Sequence, residues 1–172
     1  PQEYAVLYLQ GGASLQFAMV PANFCRPGKP VDVIHTGYWV KKAISEVEKV
    51  GDVRLIYSDE ANNFAHIPEV DQLDYSSSAS YTYLCSNNTI FGTQFQNFPK
   101  SPAPLVADMS SDILSRSFDV SQFGLIFAGA QKNLGPSGVA LAVVKKDWAE
   151  EAPKNLPSFL QYRSHIKGCL LY

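Results

Sequence analysis

Short apolar runs recur along this chain, each closed by small or polar residues, and that recurrence constrains the fold more than any other feature. Ala5 to Gln10, Val31 to Thr36, Val53 to Ser58, Ser80 to Cys85, Leu105 to Ala107, Leu125 to Phe127 and Gly138 to Val144 are too short for helices and read as buried strands. Helical patterns lie between them. Leu15 to Val20 is mostly apolar, with Ser14 as its expected N-cap and Pro21 placed to bend or stop it. Trp39 to Val50 is amphipathic. Val40, Ala43, Ile44, Val47 and Val50 share one face, Lys41, Lys42, Ser45, Glu46 and Lys49 take the other, and Gly51 is the expected C-cap. A short helix is expected near Glu69 to Leu73, a turn at Asp119 to Phe123, and an irregular, Pro-interrupted segment from Asp147 onward. Strands alternating with helices predict an α/β layered domain with a largely parallel sheet.

Bulk properties narrow the function. The 172 residues are 46% hydrophobic and 17% charged, enough for one ordinary core. A net charge of −2 gives no electrostatic case for nucleic acid or an anionic membrane as partner. No apolar run reaches the roughly 20 residues of a spanning helix. Cys25, Cys85 and Cys169 are odd in number and widely spaced, which suits neither a disulfide framework nor a zinc site and predicts a reducing cytosol. His35, His66 and His165 stand at no metal-ligand spacing, so no metal is expected. From Pro1 onward the pattern is strand-like and carries no signal-peptide signature.

In parallel sheets ligands gather at the carboxyl ends of the strands, and the chemically suggestive residues here each follow a strand. Gly11-Gly12-Ala13-Ser14 joins a strand to a helix, where small residues and free N–H groups suit an anion such as phosphate; a plain tight turn is the simpler alternative. Asp108 follows a buried run and needs a partner, for which a protonated ring nitrogen would serve; an N-cap role is the alternative. Trp39 offers a flat stacking face or ordinary core, and Thr89 a hydroxyl or mere turn chemistry. Lys132 lies between the runs ending at Phe127 and starting at Gly138. Held between buried strands, its amine is expected to be desolvated, to lose its proton readily and so to suit Schiff-base chemistry. Together these supply what pyridoxal 5'-phosphate requires.

With these residues in view the chain resembles the phosphoserine aminotransferases, fold-type I pyridoxal-phosphate enzymes of the class V aminotransferase group. The resemblance is carried by Leu9 to Phe17, Thr36 to Trp39, Ser86 to Gly92, Ala107 to Arg116 and Phe127 to Gly138, in family order up to about Lys167. It implies a three-layer α/β/α large domain. It implies that Lys132 binds the cofactor covalently and shuttles a proton, and that Asp108 pairs with the pyridinium nitrogen. Trp39 would stack on the ring and Thr89 would hydrogen-bond near its phenolic oxygen. Ala13 and Ser14 would give N–H groups to the phosphate, Gln131 would add a side-chain contact, and Ser110 would be a further phosphate neighbour. The implied reaction moves an amino group from glutamate to 3-phosphooxypyruvate, giving O-phospho-L-serine and 2-oxoglutarate, in serine and also pyridoxine biosynthesis. A cytoplasmic homodimer is implied as well.

The family pattern is about twice as long. Residues 1–167 are therefore expected to be a cofactor-binding large-domain fragment, truncated at both ends and lacking the small C-terminal domain and substrate-clamping side chains. Gly168 to Tyr172 departs from the pattern and is read as a non-native tail. Alternatives are another class V enzyme, of the alanine–glyoxylate transaminase or cysteine desulfurase type, or a module that holds the cofactor without turnover.

Overall fold

The computed structural model describes residues 2–169. In chain order its elements are β1 (Tyr4–Leu9), α1 (Gly12–Phe24), β2 (Val31–His35), α2 (Tyr38–Val47), β3 (Val53–Ser58), β4 (Tyr81–Cys85), β5 (Asn87–Asn88), β6 (Thr93–Gln94), β7 (Leu105–Asp108), β8 (Leu125–Gly129), β9 (Ala140–Lys145), α3 (Lys146–Glu150) and α4 (Tyr162–Cys169). A seven-stranded sheet runs β1-β9-β8-β7-β4-β2-β3, and β5 and β6 form a separate small hairpin. The pairings β2–β3, β2–β4, β4–β7 and β7–β8 are parallel, whereas β9 is antiparallel to both β8 and β1.

Why the strands read as unbroken apolar runs is clear from β8. Leu125 and Phe127 face one core cluster, Ile126 and Ala128 face the other, and every residue from Leu125 to Gly129 is buried. On the first face the sheet packs against Phe17, Met19, Val20 and Phe24 of α1, Val40, Ala43 and Val47 of α2, and Tyr162 and Ile166 of α4. The second face is covered by a thinner layer of 3₁₀ turns and loops carrying Val70, Phe95 and Phe123. A mostly parallel central sheet with flanking helices is consistent with the three-layer α/β/α fold class expected from the sequence, the described α-helices packing on the first face. Asp32 of β2, with no exposed surface, accepts a guanidinium fork from Arg54 of β3 (2.7 and 2.8 Å) and the Ser76 N–H (2.8 Å), which pins the β3–β4 connection to the sheet.

Several expectations are corrected. Ser14 is not the N-cap of α1. The helix starts at Gly12, and Gly11 caps it in the left-handed region (φ 85°), where an added Cβ would meet the Leu15 side chain at 2.6 Å. Nor does Pro21 stop α1. The helix continues to Phe24, and the Pro21 carbonyl accepts from Cys25 N–H at 2.9 Å, because Phe24 is held by stacking on Trp148. The second helix ends at Val47 rather than Val50. Val50 is exposed, and Gly51 donates back to the Val47 carbonyl while lying against Cys25 instead of capping a helix. The segment expected to be irregular contains α3 and α4, and the 69–73 region forms a 3₁₀ turn at Val70–Gln72. Of the suspected tail, Gly168 and Cys169 close α4, and 170–172 lie outside the described residues.

Candidate active site

The carboxyl ends of β1, β2, β4, β7 and β8 lie along one edge of the sheet, and β9, running the other way, brings its amino end to that same edge. Into this edge opens a cavity of about 400 Å³. Gly11 to Ser14, Trp39, Asp108, Gln131 and Lys132 all line it. The residues singled out from sequence thus come together, with one exception. Thr89 is not part of the lining, but its hydroxyl sits 3.4 Å from Lys132 Nζ at the rim.

The Gly11–Ser14 wall is the first turn of α1. Leu15 N–H is the first to bond back along the helix, to the Gly11 carbonyl (3.3 Å). The N–H groups of Gly12, Ala13 and Ser14 precede that ladder, at the positive end of the helix dipole. Gly129 ends β8 beside them. A Cβ added there would come within 2.7 Å of Gln131 Oε1 and 3.3 Å of Ala13 Cβ, so the absence of a side chain lets the Gln131 amide fold back against the helix tip. The opposite wall is Asp108, the last residue of β7 and 3% exposed. Its Oδ1 accepts from Ser110 N–H (2.9 Å) and Ser110 Oγ (2.6 Å). Its Oδ2 has no hydrogen-bond partner among the described residues. Burial pushes the Asp108 carboxyl above its ordinary range. The Ser110 bonds and the nearby Lys132 ammonium pull it back down, and Asp112 pushes it up.

Lys132 departs from the expectation of a buried amine. It is exposed, as are its neighbours Gln131, Asn133 and Gly135 to Ser137, because the β8–β9 turn arches out of the sheet edge rather than lying within it. Its ammonium stands 5.2 Å from the centroid of the Trp39 ring, at the cavity mouth, so its surroundings are an aromatic face and a hydroxyl rather than apolar strands. Ser110, expected near a phosphate, lines the cavity and gives its hydroxyl to Asp108.

Sequence reasoning missed Phe17, Cys85, Ser111 and Ser137 in the lining. Phe17 follows Ala13 by one helical turn, a spacing that could have flagged it. Ser137 precedes an antiparallel strand, so a search confined to the carboxyl ends of strands passes over it.

A buried carboxylate with one free oxygen, a helix tip with unused N–H groups, an aromatic face and an exposed amine suit a flat ligand with a basic ring nitrogen at one end and an anionic group at the other. Pyridoxal 5'-phosphate fits that donor and acceptor set.

Comparison with known proteins agrees. Residues 1–159 match the family model described as aminotransferase class-V. The chain is 52% identical over its whole length to the phosphoserine aminotransferase of Bacillus subtilis and spans 48% of that protein. It therefore covers about half the length of the curated relatives it matches. It superimposes on the phosphoserine aminotransferase of Bacillus circulans subsp. alkalophilus with a TM-score of 0.95 at 48% identity, over all of this chain and 48% of that one. For the pyridoxal-phosphate-bound phosphoserine aminotransferase of Trichomonas vaginalis the TM-score is 0.83 at 36% identity, over all of this chain and 49% of that one. Sheet order, site and sequence agree on the assignment: this chain belongs to the class V aminotransferase family.

Proposed function

We propose that residues 1–167 are the cofactor-binding large domain of a phosphoserine aminotransferase, which transfers an amino group between glutamate and 3-phosphooxypyruvate and yields O-phospho-L-serine and 2-oxoglutarate in serine biosynthesis. The observation that carries this reading is the convergence of Ala13, Ser14, Trp39, Asp108, Gln131 and Lys132 on one cavity. Identity near one half to enzymes of that name supports the substrate pair. Pyridoxine biosynthesis as a second route, a cytoplasmic location and a homodimer complete the proposal. No helix among the described residues is long and apolar enough to cross a membrane.

When bound, pyridoxal 5'-phosphate supplies an aldehyde that captures the amino group and a ring that takes up electrons from the substrate α-carbon. The chain's own residues do the rest. The N–H groups of Ala13 and Ser14 and the Gln131 amide bind the phosphate at the helix tip. Trp39 covers the ring face and Thr89 orients its edge. Asp108 would pair with the ring nitrogen and keep it protonated. Lys132 Nζ would hold the aldehyde end of the cofactor, and its amine would move a proton at the substrate α-carbon.

An acceptor panel on the parent enzyme, with glutamate as donor, tests the substrate. Phosphooxypyruvate should exceed glyoxylate and pyruvate in kcat/KM by at least about 10³-fold, since buried polar groups reject analogues that leave them unpaired. Comparable rates with glyoxylate would assign the chain to a different class V activity. The role of Gln131 is testable through the glycine beneath it. Gly129→Ala should push the amide off Ala13 and weaken cofactor affinity about 10-fold, the order expected for one lost hydrogen bond to a charged group. Reconstitution of the apoenzyme measures this, and an unchanged Kd would remove Gln131 from the phosphate site.

A further inference from the structure

Beneath the cavity, Asp108 is wired into the sheet by one side chain. Ser110 lies two residues past it and is 7% exposed. Its N–H and its hydroxyl both donate to Asp108 Oδ1, at 2.9 and 2.6 Å. Its Oγ in turn accepts the Gly129 N–H from the end of β8, at 2.9 Å. The direction of each bond is fixed. The Gly129 amide can only donate, and an ionised carboxylate can only accept, so the single Ser110 hydroxyl proton points at Asp108. The backbone of β7 is tied separately, since the Ser86 N–H donates to the Asp108 carbonyl at 2.9 Å while the Ser86 hydroxyl goes to Asp112.

We propose that Ser110 is the positioning residue for Asp108: it occupies Oδ1 with two donors, takes its own bearing from Gly129, and thereby leaves Oδ2 as the oxygen presented to the cavity. The arrangement does two things. It fixes the rotation of the carboxylate, because Oδ1 cannot turn to the cavity without breaking both bonds. It also stabilises the ionised form in a place that otherwise disfavours it. The groups facing Asp108 are few. Lys132 is cationic and favours ionisation. Asp112, whose own carboxylate is held by Ser86 Oγ and by Gln94 Nε2 (3.0 Å), opposes it. Tyr83 and Cys85 on the neighbouring strand β4 are buried and neutral, their own ionisation pushed well up by burial and by Asp108. Burial and Asp112 thus pull against Lys132 and Ser110, and Ser110 is the only one of these within hydrogen-bond reach of the carboxylate among the described residues.

The functional consequence rests on the reading of Asp108 as partner of a ring nitrogen, but the wiring itself does not, so two measurements separate them. The first is the ionisation of Asp108 in the apoenzyme of the parent protein, followed by NMR of carboxyl-labelled aspartate and assigned by loss of the signal in Asp108→Asn. Ser110→Ala should raise the midpoint by about one to two pH units, the size of a lost hydrogen bond to a charged group. Ser110→Thr, which keeps the hydroxyl, should stay within about half a unit of wild type. If the alanine variant does not fold with the Gly129 amide orphaned, Ser110→Cys keeps the volume and a weak acceptor and should shift the midpoint in the same direction. An unmoved midpoint in Ser110→Ala or Ser110→Cys, or a threonine variant shifted as far as alanine, overturns the proposal. The second measurement is the pH at which the absorbance of the reconstituted cofactor changes. If the apo shift appears and the cofactor spectrum does not move, Ser110 tunes Asp108 but Asp108 does not face the ring nitrogen, and the failure then lies in the functional reading.

Discussion

Lys132→Ala should lower the transamination rate of the parent enzyme by at least about 10³-fold while leaving measurable cofactor binding. The size follows from what the amine supplies. A positioned proton shuttle contributes about 10²- to 10⁴-fold, and loss of covalent capture adds to it. The residual affinity follows from the groups that remain, since Ala13, Ser14, Asp108 and Trp39 line the cavity independently of Lys132. Borohydride reduction and peptide mapping of the wild-type enzyme supply the companion result, with the label on Lys132. Lys145 and Lys146 are the informative controls. Because β9 runs back across the sheet, they sit at its opposite edge, where Lys146 Nζ bonds the Gln2 carbonyl (2.9 Å). A label on either, or a Lys132→Ala enzyme within ten-fold of wild type, would refute the role given to Lys132.

Asp108→Asn should separate activity from stability. The rate should fall about 10²-fold, the usual cost of removing one preorganised charged partner. Stability should not fall. Burial raises the Asp108 carboxyl, so the folded chain holds a proton that the unfolded chain releases at lower pH. Such a group contributes stability that is complete below the unfolded value, near pH 4, and is lost as pH rises through the folded value. At neutral pH the ionised, buried carboxylate is therefore a burden on the fold. Asparagine carries no charge and still offers Oδ1 to Ser110. The cofactor-free variant should melt at or above the wild-type Tm at pH 7, with a flatter stability–pH curve above about pH 4. A Tm several degrees lower, or a rate within two-fold of wild type, would count against the assignment.

The sheet was legible because its central strands are buried on both faces, so Leu105 to Ala107 and Leu125 to Phe127 read as unbroken apolar runs. The small residues after them marked the ligand edge for the same reason: backbone must close there without side chains in the way. Helix ends were less legible. Val50 continues the apolar spacing of α2, but spacing does not report that its side chain is exposed. Among the described side chains of α4, Tyr162 and Ile166, four residues apart, are the apolar ones in the core, while the buried Arg163 and the polar Ser164, His165 and Lys167 dilute the pattern. The environment of Lys132 was misread because a turn between buried strands need not itself be buried. Sequence identifies the residue at the tip and leaves the arch of the turn to tertiary packing.

The antiparallel strand β9 has a consequence for the order in which the molecule assembles. Among the described residues, β1 is held in the sheet through β9 alone. On the ribosome, strands β2, β4, β7 and β8 can zip together as they emerge, whereas β1 must wait for residues 140–145 before it finds its place. The helix tip at 12–14 waits with it. Within these residues, the cavity wall made first is thus the last to be set.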